Sequence, residues 1–454
     1  MNKLFHLFIF GLAFCASLFY SIYLGFNSIV VIWILFVCLG VFTFRNNTIA
    51  IKTFLIPYSI YSIYMFITTF IYVDVPGEQF FAMVDSMQFW KNSNFLIHDF
   101  EGVLDSFKET SLRTVRYRFF NFISIFLAFL AQIFDQNNIV IQKLQCVFFG
   151  SMSVPFIYKL FLFYFEKNKA YRYTLAFSLL SPLFFYSSIF NRDVHVFFLY
   201  TLGFYTLVYH KKNRFSLLNL VVIMVLLAGF RFEHSLFFVV FIFSYYYLKA
   251  KKNKSLLIVM IVLIPALLAI TLPFIMSKFT DNQEVYSERI RTKDRKTLSA
   301  NAVFVNLPHG VKQIAMTANG QLAVAVPFWR NFSLPKGPIK YKQDGYFNLW
   351  RFPDGIGCLL WIYVWAILIY GWRLKLFKTI PVELKLLLLI SILLLIATSA
   401  AANPRRYFCV YPAMYLVAMY ILNFFTRNQK KKVLKNATLF LVVLHVAYIS
   451  VKGF

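Results

Sequence analysis

Apolar runs long enough to cross a bilayer follow one another along most of the chain, near 4–24, 27–44, 53–72, 139–165, 173–190, 195–209, 215–230, 234–249, 255–276, 357–372, 379–401, 406–425 and 436–451. A spanning helix needs about 20 such residues, so the pattern predicts an all-α polytopic membrane protein with about thirteen transmembrane helices. Composition excludes a soluble fold. With 60% hydrophobic residues, 57 Phe and only 14% charged residues, no single water-soluble core could hide the apolar surface.

Every second linker is basic. Arg45 to Lys52, "EKNKAYR" from Glu166, "HKKNR" from His210, "KAKKNK" from Lys249, "RLKLFK" from Arg373 and "TRNQKKKVLK" from Thr426 carry hardly any acid, which places them in the cytoplasm. The net charge of +28 therefore belongs to anchoring loops and not to a nucleic-acid-binding face. The alternating linkers, 25–26, about 73–138, 191–195, 231–234, about 277–356 and 402–405, face the outer side. Lys3 precedes an apolar run without a clear cleavage site, so the run reads as a first helix with a cytoplasmic N-terminus. The five Cys have neither CxxC nor zinc spacing, which gives no disulfide framework and no metal cluster.

"FFNFISIFLAFLAQIF" from Phe119 breaks the alternation. Counted as a span, it would put "EKNKAYR" outside and invert everything after it, so it is assigned to a helix lying along the outer interface. A true span compensated elsewhere is the alternative. The chain then divides into three N-terminal helices (1–72), a first outer loop with the interfacial helix (73–138), a transmembrane core (139–276), a large outer loop (277–356) and C-terminal helices (357–454).

Ionisable residues gather on the outer side. "YVDVPGEQFFAMVDSMQFW" brings Asp74, Glu78 and Asp85 beside the third helix, where carboxylates suit general-base work or holding a cation. "FNRDVH" holds Arg192, Asp193 and His195 between short apolar runs, and "RFEHS" holds Arg231, Glu233 and His234 between two more. Fifteen residues rise only about 23 Å against a hydrocarbon core of about 30 Å, which draws both turns below the surface and makes them neighbours. Ionisable groups at that depth mark a functional site, with a structural ion pair such as Arg192 with Glu233 as the plain alternative. Lys143, in "QKLQ", lies about one turn inside its helix, where snorkelling would also explain it. "ANPRRYF" places Arg405 and Arg406 outside against the charge trend, and guanidinium pairs bidentately with phosphate.

In this order the motifs resemble the GT-C superfamily of membrane glycosyltransferases, in particular the dolichyl-phosphate-mannose protein mannosyltransferase type. "VDSMQFW" supplies the acidic residue of a first outer loop, Asp85, and "NRD" that of the second, Asp193. "KLQCVFFG" matches a basic residue followed by Gly, Lys143 and Gly150, and Pro182 fits a Pro upstream of the second acidic position. The resemblance covers about 53–240; three helices instead of one precede the first loop, and the second loop has no DxD or ExD. It implies a sugar donor linked to polyprenyl phosphate, a cell-surface glycan or glycolipid acceptor, membrane lipid as a partner, and an outer, periplasmic active face in a bacterial inner membrane. Asp85, Asp193, Asp74 and Glu78 become catalytic candidates, and Lys143, Arg192, Arg231, Arg405 and Arg406 donor-phosphate ligands, with Glu233 and His234 as further polar groups. A divalent cation, Mg or Mn, is left open. The chain also resembles O-antigen and exopolysaccharide polymerases; a lipid-linked oligosaccharide flippase is a third reading, against which the one-sided gathering of charge counts.

Overall fold

The computed structural model describes residues 3–71, 84–95, 118–209, 215–250, 307–308, 311, 314–315, 318, 352–398 and 408–452. Among them regular structure is helical: α1 (Lys3–Leu24), α2 (Ser28–Thr43), α3 (Thr48–Ile71), α4 (Val84–Phe95), α5 (Arg118–Phe134), α6 (Ile139–Phe161), α7 (Lys167–Leu180), α8 (Pro182–Ser187), α9 (Asp193–Val208), α10 (Ser216–Phe230), α11 (Phe232–Ala250), α12 (Phe352–Arg373), α13 (Val382–Thr398), α14 (Tyr411–Leu422) and α15 (Arg427–Lys452). Five of these, within α1, α3, α6, α12 and α15, are long and apolar enough to cross a membrane, and shorter apolar helices accompany them. The described residues are thus those of an all-α protein with helices suited to a membrane. Five such spans among the described residues do not reach the thirteen that hydropathy predicts, and the predicted run 255–276 lies outside the described residues.

Two helix boundaries differ from the sequence expectation. The run 173–190 is two helices, α7 and α8, because Ser181 turns extended (φ −100°, ψ 166°) before Pro182. The Ser181 hydroxyl accepts from Leu183 N at 3.3 Å and Pro182 occupies the first helical position, where a missing N–H costs nothing. At the other end of the chain, α15 begins at Arg427, nine residues before the predicted 436. Lysine is a good helix former, so "RNQKKKVLK" continues the helix into water instead of forming a linker.

The chain divides into two compact units, one of residues 1–202, 226–232 and 331–357, the other of 203–225, 233–330 and 358–454. In the first unit α6 is the axle: 78% of its spanning window is buried, and it packs against α2, α3, α5, α7 and α8. Small residues permit the close approaches. A Cβ on Gly150 would strike the Ser187 hydroxyl, and one on Gly40 the Phe54 ring. Two large buried side chains pair their polar tips: Trp33 Nε1 donates to Ser62 Oγ at 3.1 Å and Tyr61 donates to the Ser178 carbonyl at 2.6 Å.

Contacts sort the linkers of this unit by end. At one end Ser28, opening α2, donates its N–H to Asp135 Oδ2 at 3.2 Å and its hydroxyl to the Gln136 carbonyl at 3.0 Å. Lys159, in the last turn of α6, lies over the Phe44 ring, just beyond α2, at 5.3 Å at the other end. Helix α5 stays at the first end. Its start packs Phe120 on Phe190 beside the α8–α9 turn, its middle bonds the opening turns of α6 through Ser124, and its finish meets Ser28. Its buried face, including Phe120, Ser124, Ile125 and Ala128, is one stripe of the helix, as amphipathic packing requires.

In the second unit Gly203 admits the ring of Phe238, which stacks on Phe241 at 4.1 Å. Trp361 stacks on Tyr411, and Cys358, Ile362 and Leu441 form a small apolar cluster joining α12 to α15.

Candidate functional site

The turn between α8 and α9 is built by Asn191. Its amide donates to the Tyr186 carbonyl at 3.0 Å and the Ile189 carbonyl at 3.2 Å, while its oxygen accepts from Asp193 N at 2.8 Å. This closes α8, starts α9, and places Asp193 in the first turn of α9, where the helix dipole favours a carboxylate. The Phe190 carbonyl accepts from Ser86 Oγ of α4 at 2.6 Å, and Cys146 of α6 donates to the Asn191 carbonyl at 3.3 Å. Two elements, α4 and α6, therefore fix this turn from outside it.

Asp193 pairs with Arg231 at 2.6 Å, with both side chains almost fully buried. Arg192, half-buried, donates to the Phe230 carbonyl at 3.1 Å. The sequence expectation that "FNRDVH" and "RFEHS" are neighbours is met through these two contacts. The observed ion pair is Asp193 with Arg231; the Glu233 side chain lies outside the described residues.

Lys143 is 1% exposed and its Nζ donates to Thr69 Oγ1 of α3 at 3.0 Å. Snorkelling to the interface is thereby overturned: the ammonium is directed into the bundle. Cys146, one turn on, bonds the Asn191 carbonyl, which sets the opening turns of α6 that carry Lys143 beside the turn that carries Asp193. Above Lys143, Gln142 and Gln145 are tied to Ser124 of α5 at 3.0 Å each, so the amides of "QKLQ" anchor α5 across the cluster.

His195 packs among the rings of Phe120, Phe149 and Phe230, with centroids 5.2, 4.3 and 5.2 Å away. Neither ring nitrogen makes a hydrogen bond of ordinary geometry, although the Asn191 backbone is within electrostatic reach.

The remaining candidates are distributed as follows. Asp85 belongs to α4, and its neighbour Ser86 bonds three residues upstream of Asp193, so the Asp85 backbone borders the cluster; its side chain is outside the described residues. Asp74, Glu78, Arg405 and Arg406 also lie outside them. His234 is buried in the first turn of α11 in the second unit. No three His, Cys, Asp or Glu side chains come together among the described residues as a metal-ligand set.

Sequence reasoning passed over Thr69, Ser86, Ser124 and the pairing role of Cys146. A hydroxyl inside an apolar run gives no local signal of a partner 74 positions away, as Thr69 is from Lys143.

The cluster and its helices define a class only at the level of an all-α membrane protein with a buried charged site. No protein-family model matches the chain, and no curated protein or solved structure matches it.

Proposed function

We propose that the protein is an integral membrane glycosyltransferase of GT-C type, moving a sugar from a polyprenyl-phosphate-linked donor to a cell-surface glycan or glycolipid on the periplasmic face of a bacterial inner membrane. The observation that carries this reading is the gathering of Lys143, Asp193 and Arg231, from three separate parts of the chain, into one buried cluster at the end of the bundle crossed by α4 and α5. Lys143 and Arg192 bring two further cations to the neighbourhood of the Asp193–Arg231 pair. A phosphate is the natural ligand for such cations, and ionisable groups at this depth are seldom ornamental.

In the proposed reaction an acceptor hydroxyl attacks the anomeric carbon of the donor. The bond from that carbon to the phosphate oxygen breaks, and the hydroxyl proton passes to a carboxylate, Asp85 in the first instance. Lys143 and Arg231 stabilise the charge that grows on the departing polyprenyl phosphate. When Arg231 turns towards that phosphate, Asp193 is released from its ion pair to orient the acceptor. Helix α5, lying across the end of the bundle with one apolar face, suits the interface between lipid and water.

The test is the surface glycan and lipid-linked sugar pool of cells lacking the protein. Loss of one sugar from the glycan, with its polyprenyl-linked donor accumulating, supports the reading. Loss of long chains with a single repeat retained replaces it with a polymerase, and repeats trapped on the inner leaflet replace it with a flippase.

A further inference from the structure

The second unit contains a cavity of about 630 Å³ between α12 and α15, with Ile314, Ala318 and Ile396 closing its sides. Its walls are apolar: Ile362, Ala366 and Ile369 on α12, Ala437 and Phe440 on α15. The two helices run antiparallel, since Tyr363 bonds Thr438 at 3.0 Å and Ile362 meets Leu441, while Arg373 and Val433 line the same cavity. The alanines make the hollow. Large side chains at 366 and 437 would fill the space between the helices.

Trp365 and Tyr370 add aromatic rings with polar tips along α12, and the one charged group of the described lining is at its end, where Arg373, in the last turn of α12, and Asn436 reach it. Both are exposed, as are Lys375, Lys378, Lys432 and Lys435 nearby in sequence. This is the basic end of both helices, the side that positive linkers assign to the cytoplasm. From Ile362 to Arg373 the trough is eleven residues long, about 16 Å at the helical rise, against about 15 Å for half of a bilayer's hydrocarbon core. Its volume falls within the about 300–1,000 Å³ of small-ligand sites.

We propose that this cavity binds one anionic glycerophospholipid of the cytoplasmic-side leaflet, an acyl chain lying in the apolar trough and the phosphate resting against Arg373 and Asn436. A trough with mostly apolar walls offers water few partners, which favours a lipid chain as its occupant. The one-leaflet depth selects an acyl chain over a polyprenyl chain, which is much longer than the trough. The basic end selects an anionic headgroup, as cytoplasmic-side pockets between transmembrane helices do generally. The site does not depend on the glycosyltransferase reading, because none of its residues belongs to the Lys143 cluster.

The test is native mass spectrometry of the full-length protein in neutral detergent, titrated with phosphatidylglycerol or phosphatidylcholine carrying the same palmitoyl and oleoyl chains. One saturable phosphatidylglycerol adduct is expected, binding about tenfold or more tighter than phosphatidylcholine. Arg373→Gln, at an exposed position that leaves the packing alone, removes this preference while retaining weak binding of both lipids. Ala437→Trp fills the trough and removes both adducts. Equal, unsaturable binding of the two lipids means an ordinary lipid annulus and overturns the proposal. So does an unchanged preference in Arg373→Gln, or one-for-one displacement of phosphatidylglycerol by a polyprenyl monophosphate, which would give the site to a different lipid.

Discussion

Helices α6 and α15 have nearly the same length and both are apolar enough to span a membrane, yet 78% of the window on α6 is buried inside the protein and only 17% of that on α15. Their lysines differ in the same sense. Lys430, Lys431 and Lys432 stand in the first turns of α15, exposed, where water solvates them at no cost to the fold. Lys143 stands in the second turn of α6 with 1% exposure and must be held by Thr69 and the neighbouring charges. A peripheral helix keeps its charges at its ends; a central helix accepts a buried charge only where the surrounding elements supply partners. The difference separates exposed lysines at a helix end from one held inside the protein.

That contrast breaks most sharply at the ion pair. Asp193→Asn leaves Arg231 buried without its counter-charge and is expected to destabilise the protein by about 3–5 kcal/mol, whereas Asp193→Asn with Arg231→Gln recovers most of the loss. Denaturation of the two variants in the same detergent checks this, and an additive double variant would mean the pair is not coupled.

A smaller effect is expected at the packing of α6. Gly150→Ala drives a methyl into the Ser187 hydroxyl and should cost about 1–3 kcal/mol, with Ser187→Gly restoring the space. Truncation on α15 has no such neighbour to disturb.

Acid distinguishes the end of the bundle next. Burial pushes the Asp135 carboxyl up, but hydrogen bonds from Ser28, Gln136 and Asn27 together outweigh it and hold it below its ordinary value. A depressed folded value contributes stability above the unfolded carboxylate range, and that contribution is lost as pH falls through the folded value. Asp135→Asn should therefore flatten the acid limb of a stability profile and leave neutral stability little altered beyond the lost α2 contact. An unchanged acid limb would remove Asp135 from the link between α2 and the α5–α6 turn.

The smallest change is expected on α15. Lys432→Ala should alter stability by no more than about 0.5 kcal/mol, which thermal melting can check, since the residue is exposed.

Hydropathy made the broad fold legible because a membrane helix announces itself by length alone. It also brought "FNRDVH" and "RFEHS" together, since short runs pull flanking charges to a common depth. It could not see the break at Ser181–Pro182, where all neighbours are apolar and only the Ser-Pro dipeptide speaks for a turn. It misread the start of α15 because charge looks like a linker even where lysines are helical. Partner choice was not legible at all: that Asp193 takes Arg231, and Lys143 takes Thr69, depends on how α3, α6, α9 and the turn at 231 meet in space. The snorkelling explanation of Lys143 failed for the same reason, since depth along a helix does not say which way the side chain faces.

Replacing Lys143 by Met tests the central claim most directly, with sugar transfer to the surface glycan and thermal stability measured on the same preparations. Methionine is unbranched and flexible like lysine but carries no charge, so the exchange removes the ammonium with little change of shape. The account predicts that transfer per folded protein falls by about a hundredfold or more in Lys143→Met, whatever the shift in its melting temperature, as for loss of one group that stabilises developing charge. Full transfer by a stable Lys143→Met protein would contradict it.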